Sequence, residues 1–416
     1  MPLRVWVDNA PVGIVDKLGK RGSTLVYDHG VSPDKAISVI LPPRLNSYDE
    51  KHELLPFLDM NLPEGALRER LRLRFAKAMG SFDDMDVLSV TGRSQIGRVR
   101  FTPLGEDLDE DVPFHSVDEI VRARRGGDLY DYLMDTFARH SGLSGVQPKA
   151  MFRGEDDKDV RKSQSLRGAT HIVKFWDADE YPELAANEFF CLKAAQAAGL
   201  RLPNFQLSDT GEALVVERFD RRADGTYRGF EDFCAINGAN ASQKYNGGYE
   251  TKLFKRLSEF IDHVERKPTA QELFRLMVLN IAVRNGDAHL KNFGILYDAT
   301  DGVATLAPVY DIVTTQAYLP KDKMALTLNG STDWPDRKKL LYLAQTRCGL
   351  SVAAATTVME EVADAVSGIL PEAKAYFDDC PHPEVGERMF EAWDRGVQES
   401  LGLGALDYVQ GHVIKP

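Results

Sequence analysis

The sequence predicts an α+β fold of two lobes, with an N-terminal α/β module in front and an all-helical C-terminal lobe behind. Three observations carry this. The first hundred residues mix short apolar strands with helical stretches, residues 145–219 alternate strands with a single helix, and helical periodicity dominates from Phe254 onward. A chain of 416 residues also exceeds what one core usually holds. The pattern divides it into 1–105 (N-terminal module), 106–255 (sheet-bearing lobe) and 256–416 (helical lobe).

In the module, Leu3–Val7 and Val12–Asp16 read as strands around Asp8-Asn-Ala-Pro11, and Ser23–Tyr27 and Ile37–Leu41 add two more. Leu67–Ala78 is helical by period. Asp86–Thr91 and Arg98–Thr102 read as another strand pair around Gly92-Arg-Ser94. The acidic stretch Gly105–Val112 reads as a solvated linker and Asp118–Ala138 as helical. Ala150–Phe152, His171–Phe175 and Ala213–Glu217 read as strands of one sheet, with Asp156–Gly168 a mobile loop.

Composition excludes several classes. A net charge of −12 repels nucleic acid, and the short basic clusters Arg68–Arg74 and Arg122–Arg125 read as solvated helix faces. Any DNA association therefore requires a more basic partner. Cys191, Cys234, Cys348 and Cys380 have no C-x-x-C spacing, which argues against a zinc ribbon or a disulfide framework and fits the cytosol. The N-terminus does not read as a signal peptide, and no run of about 18 apolar residues predicts a membrane span.

The segment richest in chemistry is Asn285-Gly-Asp-Ala-His-Leu-Lys-Asn-Phe-Gly-Ile-Leu296. Thr269-Ala-Gln-Glu272 after Pro268 reads as a capping box opening a helix with Leu273, Leu276, Met277, Asn280 and Ile281 at helical spacing. A break at Asn285-Gly286 then delivers Asp287 on a loop, with Asn292 five positions on and a strand following. Phosphoryl transfer needs a carboxylate beside the attacking hydroxyl and a nearby amide oxygen for Mg²⁺, and protein-kinase loops have the same Asp-to-Asn interval. After a hairpin at Phe293–Leu306 comes Pro308-Val-Tyr-Asp311, where kinases place a metal-binding Asp; the alternative is a turn Asp capping a helix at Thr314. His289 has no second His or Cys at zinc-ligand spacing and suits a structural or phosphate-contacting role. Lys291 suits a γ-phosphate contact or a solvent-facing position.

On the nucleotide side, His171-Ile-Val-Lys174-Phe interrupts an apolar strand with a lysine, which is costly unless paired. The helix Glu183–Ala198, ended by Gly199, sets Glu188 on the apolar stripe of Leu184, Cys191, Leu192 and Ala195. Glu188 is the natural partner of Lys174; the alternative puts it at the stripe's edge, in solvent. Ser141-Gly-Leu-Ser-Gly-Val-Gln-Pro-Lys149 is a small-residue loop able to bring N–H groups to phosphates, though not a Walker A loop. Ala213–Asp220 reads as a strand entering a polar hinge with Phe219 against an adenine, or as a core strand with an exposed end.

Together these residues resemble the HipA family of toxin kinases. The similar segments are Ser144–Lys149, His171–Phe175, Asn187–Leu192, Val216–Arg221, Gly286–Phe293 and Pro308–Asp311, in the family's order and covering about Leu143 to Thr315. Leu54-Leu-Pro-Phe-Leu-Asp59 and Leu62-Pro-Glu-Gly65 are similar, less sharply, to the family's N-terminal module.

The resemblance implies a protein-kinase-like, HipA-type fold and transfer of the ATP γ-phosphate to a serine or threonine of a translation-related protein such as an aminoacyl-tRNA synthetase. It implies a HipB-like helix-turn-helix antitoxin that carries the toxin to operator DNA. It makes Asp287 the base, Asn292 and Asp311 the Mg²⁺ ligands, and Lys174 a phosphate ligand. Ser144, Gly145, Val146, Gln147, Pro148 and Lys149 would lie over the phosphates and Glu217 and Phe219 at the adenine, with Glu188, His289, Lys291 and Tyr310 in the same nucleotide-binding set.

The family often has a serine at the first position of its S-x-S/A-G loop, where autophosphorylation ejects the loop. Here that position is Gly142, so self-inactivation would use Ser144 or Ser141. The competing readings are a small-molecule kinase of the aminoglycoside-phosphotransferase kind and a non-catalytic co-repressor.

Overall fold

The computed structural model describes residues 1–79, 82–109, 111–123, 127–144, 147–154, 168–175, 181–407 and 412–413. The first stretch runs β1 (Leu3–Val7), β2 (Ala10–Leu18), β3 (Gly22–Tyr27), β4 (Tyr48–Glu50), α1 (Pro56–Asp59), α2 (Gly65–Met79), α3 (Asp84–Thr91) and β5 (Val99–Pro103). Then come α4 (Val117–Val121), α5 (Gly127–Phe137), β6 (Lys149–Phe152), β7 (His171–Phe175), α6 (Leu184–Ala197), β8 (Phe205–Leu207), β9 (Ala213–Glu217), β10 (Gly229–Asp232) and α7 (Phe233–Ile236). The remainder is α8 (Arg266–Ala282), β11 (Gly294–Tyr297), β12 (Ala304–Leu306), α9 (Arg337–Arg347), α10 (Val352–Asp379), α11 (Pro383–Arg395), β13 (Leu406–Asp407) and β14 (His412–Val413).

The fold class is α+β, in two compact units. The first comprises residues 1–175, 205–244 and 294–304; the second, 176–204, 245–293 and 305–416. Gly145, Val146 and most of the 156–168 loop lie outside the described residues.

In the first unit, a five-stranded sheet has the order β4-β3-β2-β1-β5. Its β1–β2 turn is Asp8-Asn9, both at positive φ (48° and 65°), the conformation that lets a two-residue hairpin match the strands' twist. Strict alternation puts Leu3, Val5 and Val7 on the buried face of β1. The expected strands of the second sheet are present: β6, β7 and β9 pair antiparallel, with β8 added at the edge.

Two expected strands are not strands. Asp86–Thr91 belongs to α3, because Asp83 caps the helix reciprocally with Asp86, a start signal hidden in Asp83-Asp-Met-Asp86. Ile37–Leu41 is turn, because its backbone groups bond side chains instead of a ladder. The Tyr27 hydroxyl takes the Ile37 N–H (3.0 Å) and donates to the Leu41 carbonyl (2.6 Å), and β3 pairs with β4 instead. The helical region at 118–138 is two helices, α4 and α5.

The 37–41 turn ends on Glu231 of β10, a fully buried carboxylate. It accepts hydrogen bonds from the Ser38 hydroxyl (2.6 Å), the Val39 N–H (2.8 Å) and the Tyr297 hydroxyl (2.7 Å). Burial pushes its pKa from 4.5 up to about 7, against the pull of those donors. Because the folded pKa is raised, stability is full below about 4.5 and is lost as pH rises through 7. The whole effect is on the order of 3 kcal/mol. We expect the melting temperature of Glu231→Gln relative to wild type to rise between pH 5 and pH 8; a pH-independent difference would contradict this linkage.

The second unit is helical apart from its short strands. α10, the longest helix, packs against α6, α8, α9 and α11. It turns Ala355, Met359, Val362, Val366, Leu370, Ala373 and Phe377 inward at helical spacing. The C-terminal region is not wholly helical: beyond Gly402, whose φ of +64° ends the last helical turn, the chain extends and β13 pairs with β14.

α8 begins at Arg266, three residues before the expected capping box. Pro268 is tolerated in its first turn, where helix N–H groups have no intrahelical acceptor. It ends at Ala282, and Arg284 at φ +54° reverses the chain two residues later, ahead of the expected break at Asn285. No helix among the described residues is long and apolar enough to cross a membrane.

Candidate active site

Most of the predicted catalytic residues lie in the second unit, on the loop that α8 feeds. Arg284 holds the loop's root. It is buried and donates to the Arg395 carbonyl and the Ser400 hydroxyl (3.0 Å each) and to Glu399 (2.8 Å); burial pulls its pKa down to about 10. Asn285 clamps back onto Asn280 through its N–H (2.8 Å) and its amide (2.6 Å). Gly286 is required by close approach: a Cβ there would sit 2.6 Å from the Lys323 carbonyl oxygen and 2.0 Å from Asp322 Oδ2.

Asp287 therefore sits on a fixed backbone. Its N–H donates to Asn285 Oδ1 (3.1 Å) and its carbonyl accepts the His289 N–H (2.7 Å). Its carboxylate, about half exposed, accepts the hydroxyl of Tyr245 at 2.7 Å. Tyr245 also meets the His289 ring edge-on, 5.1 Å between centroids, and His289 Nε2 lies 4.0 Å from Asp287 Oδ2.

His289 and Asn292 cap one another across the short turn Leu290–Asn292, the His289 N–H donating to Asn292 Oδ1 at 3.1 Å. His289 thereby braces this turn. Lys291 is buried, not solvent-facing, and its carbonyl accepts the Tyr310 hydroxyl (3.0 Å).

Asp311 follows Tyr310 and is half-buried with φ +53°, a conformation uncommon for a non-glycine residue. Strain of this kind persists where neighbours over-determine the backbone. Upstream, the Val309 N–H bonds the Arg201 carbonyl (2.8 Å). Downstream, Asn187 of α6 brackets Thr314, accepting its N–H (2.8 Å) and donating to its carbonyl (3.1 Å), while Trp393 donates to its hydroxyl (2.7 Å). Thr314 initiates only a three-residue turn and Asp311 is not its cap.

Glu188, next to Asn187, is 1% exposed, so it does not reach solvent. α6 is buried on most of its surface, and Leu184 is only half-buried, so the expected single apolar stripe is too narrow a description.

The first unit holds the other predicted residues. Lys149 and Lys174 are register partners on β6 and β7, both about 5% exposed. Like charges directly opposite one another in a sheet destabilise it unless negative charge lies nearby. The Gln147 side chain donates to the Phe175 carbonyl (3.0 Å), and the Phe175 N–H to the Pro148 carbonyl (2.8 Å), so the end of the small-residue loop is tied to β7. Glu217 ends β9 half-buried, and Phe219 lies edge-on to Phe230, 5.5 Å between centroids.

Ser141 is fully buried, its hydroxyl donating to the Phe137 carbonyl (2.8 Å) and accepting the Met151 N–H (2.7 Å); it serves as a structural brace.

Sequence reasoning missed Tyr245 and Asn187 as site-builders, and Arg218 and Asp220 on either side of the supposed hinge residue Phe219. Those last two form a buried ion pair. The only sequence signal for them was a charge at i and i+2 flanking Phe219.

The chain matches the HipA-like C-terminal domain over residues 141–369 and the HipA N-terminal domain over residues 3–102. The chain belongs to the HipA family. Among its relatives, a Sinorhizobium fredii protein named Putative kinase Y4mE is 32% identical over 344 residues, covering 76% of this chain and 78% of that one. A second, Putative kinase Y4dM of the same organism, is 28% identical over 286 residues, covering 65% of this chain and 64% of that one. The fold is shared with HipA of Shewanella oneidensis, solved as a complex of HipA, HipB and its operator DNA. The TM-score is 0.70 at 20% identity, over 96% of this chain and 97% of that one.

The departure from many HipA-family loops at Gly142 has a steric reason. Its N–H bonds the Ser94 carbonyl (2.9 Å), and a Cβ would lie 2.5 Å from that same oxygen. A serine does not fit there in this conformation.

Proposed function

We propose that this chain is a Mg-ATP-dependent serine/threonine protein kinase acting on a translation-related protein such as an aminoacyl-tRNA synthetase, and that it is the toxin of a toxin–antitoxin pair. The observation that carries the reading is the loop 285–292. Its backbone N–H groups at Asn285, Asp287 and His289 are pinned to Asn280, Asn285 and Asn292, while the Asp287 carboxylate stays half exposed and accepts the Tyr245 hydroxyl.

In this reading Asp287 orients the acceptor hydroxyl and takes its proton as that oxygen attacks the γ-phosphorus of ATP, whose bond to the β–γ bridging oxygen breaks to release ADP. Lys149 and Lys174, register partners on β6 and β7, supply positive charge for the nucleotide phosphates. Glu217 and Phe219 lie at the adenine.

Asn292 and Asp311 would hold Mg²⁺. One amide and one carboxylate make an incomplete, oxygen-only donor set, which suits a cation that keeps waters and arrives with phosphates. Among the described residues no group of three or more His, Cys, Asp or Glu side chains could hold a metal without such help. Bound there, Mg²⁺ would neutralise phosphate charge.

Family membership supports a HipB-like helix-turn-helix antitoxin as partner. The net charge of −12 supports operator DNA being reached through that antitoxin.

The test is to add purified chain, γ-labelled ATP and Mg²⁺ to a lysate. We expect label on serine or threonine of a protein and none when divalent cations are chelated. Label confined to a small metabolite would overturn the protein-kinase reading in favour of a small-molecule kinase.

Tyr245 gives a finer check. Tyr245→Phe keeps the ring against His289 but removes the donor to Asp287. We expect a loss of up to about tenfold in the rate of label transfer, about 1.4 kcal/mol, with unchanged thermal stability. A rate equal to wild type would show that the hydroxyl does not position the carboxylate.

A further inference from the structure

We propose that Glu64 of the N-terminal module is a positioning residue for the nucleotide loop, acting through the hydroxyl of Ser144. This rests on the kinase reading above, and it gives the N-terminal module a part in nucleotide binding.

The Ser144 hydroxyl donates to Glu64 Oε1 at 2.5 Å, and Lys244 Nζ lies 3.6 Å from Glu64 Oε2. The Glu64 and Lys244 side chains are mostly covered (23% and 13% exposed), so water screens the pair less than a surface ion pair. A hydroxyl donating to a carboxylate is among the stronger hydrogen bonds a side chain makes.

Glu64 is itself held in place by its sequence neighbours. Pro63 precedes it, and Gly65, at φ +51°, turns the chain into α2 immediately afterwards. Leu62-Pro-Glu-Gly65 is thus a rigid mount for one carboxylate.

The described ends of the loop are fastened independently. At one end the Gly142 N–H bonds the Ser94 carbonyl, in a spot where only glycine fits. At the other, Gln147 and Pro148 bond Phe175. Ser144 is the described point between these ends whose side chain is tied to the module, and Glu64 is what ties it. Lys244 immediately precedes Tyr245, the residue that orients Asp287, so consecutive residues serve the loop's holder and the base.

Glu64 touches no reacting atom, so its loss should act on nucleotide affinity more than on turnover. The experiment uses the full chain with Glu64→Ala, Glu64→Gln, Ser144→Ala and the Glu64→Ala/Ser144→Ala double variant. Backbone hydrogen exchange of Gly142–Lys149 is measured without nucleotide, and KM for ATP and kcat are measured separately. We expect exchange and KM each to rise about tenfold in both alanine variants, with kcat changed less than about threefold, the order one charge-assisted hydrogen bond supplies. The double variant should be no worse than either single one. Glu64→Gln, which still accepts from Ser144, should recover most of the effect.

Unchanged exchange in Glu64→Ala overturns the fastening whatever the enzyme does. Faster exchange with a wild-type KM overturns the positioning role, and so do additive effects in the double variant. A wild-type chain that neither binds nor turns over ATP overturns the kinase reading, while faster exchange in the variants would still uphold Glu64 as the loop's holder. Should Glu64→Ala fail to fold, Ser144→Ala removes the same contact from the loop side, and its exchange without nucleotide, together with the KM of Glu64→Gln, decides the matter.

Discussion

Asp287→Asn is expected to lower the rate of phosphoryl transfer by about 10²–10⁴-fold, the range that one general base supplies, while leaving the fold intact. The hydrogen bonds described at this residue survive the substitution. The Asp287 N–H still meets Asn285 Oδ1, its carbonyl still takes the His289 N–H, and an asparagine oxygen can still accept from Tyr245. The root of the loop is held by Arg284 and Asn285, which do not sense the side chain at 287. What is lost is the charge that takes the proton in the proposed mechanism. KM for ATP should therefore stay within about threefold of wild type, and the melting temperature should not move. Wild-type chain produced without an antitoxin should arrest growth and the variant should not. A variant retaining more than about a tenth of the wild-type rate would remove Asp287 from the role of base and leave the loop as scaffold. Asp311→Asn makes a useful contrast. It keeps an oxygen donor at a left-handed position that asparagine tolerates well, so any loss of rate there should depend on Mg²⁺ concentration.

The parts of this site that are local in sequence could be read from it. Asp287 and Asn292 lie in one six-residue stretch. The strands β6, β7 and β9 show as apolar runs, that of β7 interrupted at Lys174. Gly286 and Gly142 stand out as glycines, but why they must be glycine needs Lys323 and Ser94, which are remote in the chain.

What could not be read is long-range bracing by ordinary polar residues. Tyr245 is 42 positions from Asp287, and Asn187 is 127 from Thr314. Tyr245 has no spacing or neighbour that distinguishes it from a surface residue, and Asn187, though beside Glu188 in a family-like segment, has nothing near it that points to Thr314. Ile37–Leu41 misled for a related reason. Ile37 and Leu41 are buried and Val39 and Ile40 half-buried, but a tyrosine hydroxyl and the Glu231 carboxylate satisfy its backbone, and no periodicity encodes that choice. Asp86–Thr91 misled because the Asp83–Asp86 cap outweighed short-range strand propensity.

Arg218 is where the largest effect on stability is expected. It lies between Glu217 and Phe219 in the segment expected to hold adenine, yet its side chain is wholly buried and points into structure. Its Nε and Nη2 meet the two oxygens of Asp220 at 3.0 and 2.6 Å, and Nη2 also donates to the Gln95 carbonyl (2.8 Å). Asp220 in turn takes the Gly97 N–H at 2.6 Å. The aromatic face of Tyr227 lies 4.8 Å from the Arg218 guanidinium and 4.2 Å from that of Arg100. The pair thus ties the strand end at 217–220 to the 95–97 turn of the module.

Replacing Arg218 with methionine fills much of its volume but leaves a buried carboxylate with the Gly97 N–H in place of a full salt bridge. Breaking a buried pair in this way costs about 3–5 kcal/mol, whereas replacing both partners by apolar groups costs far less. We therefore expect Arg218→Met to lower the unfolding midpoint of the first unit sharply, followed by the fluorescence of Trp6, its one tryptophan. Arg218→Met combined with Asp220→Leu should recover at least half of the loss, because the stranded charge is then gone. A double variant as unstable as the sum of the singles would mean that the charge pair is not what holds these segments, and that the Gln95 and Gly97 backbone contacts hold them instead.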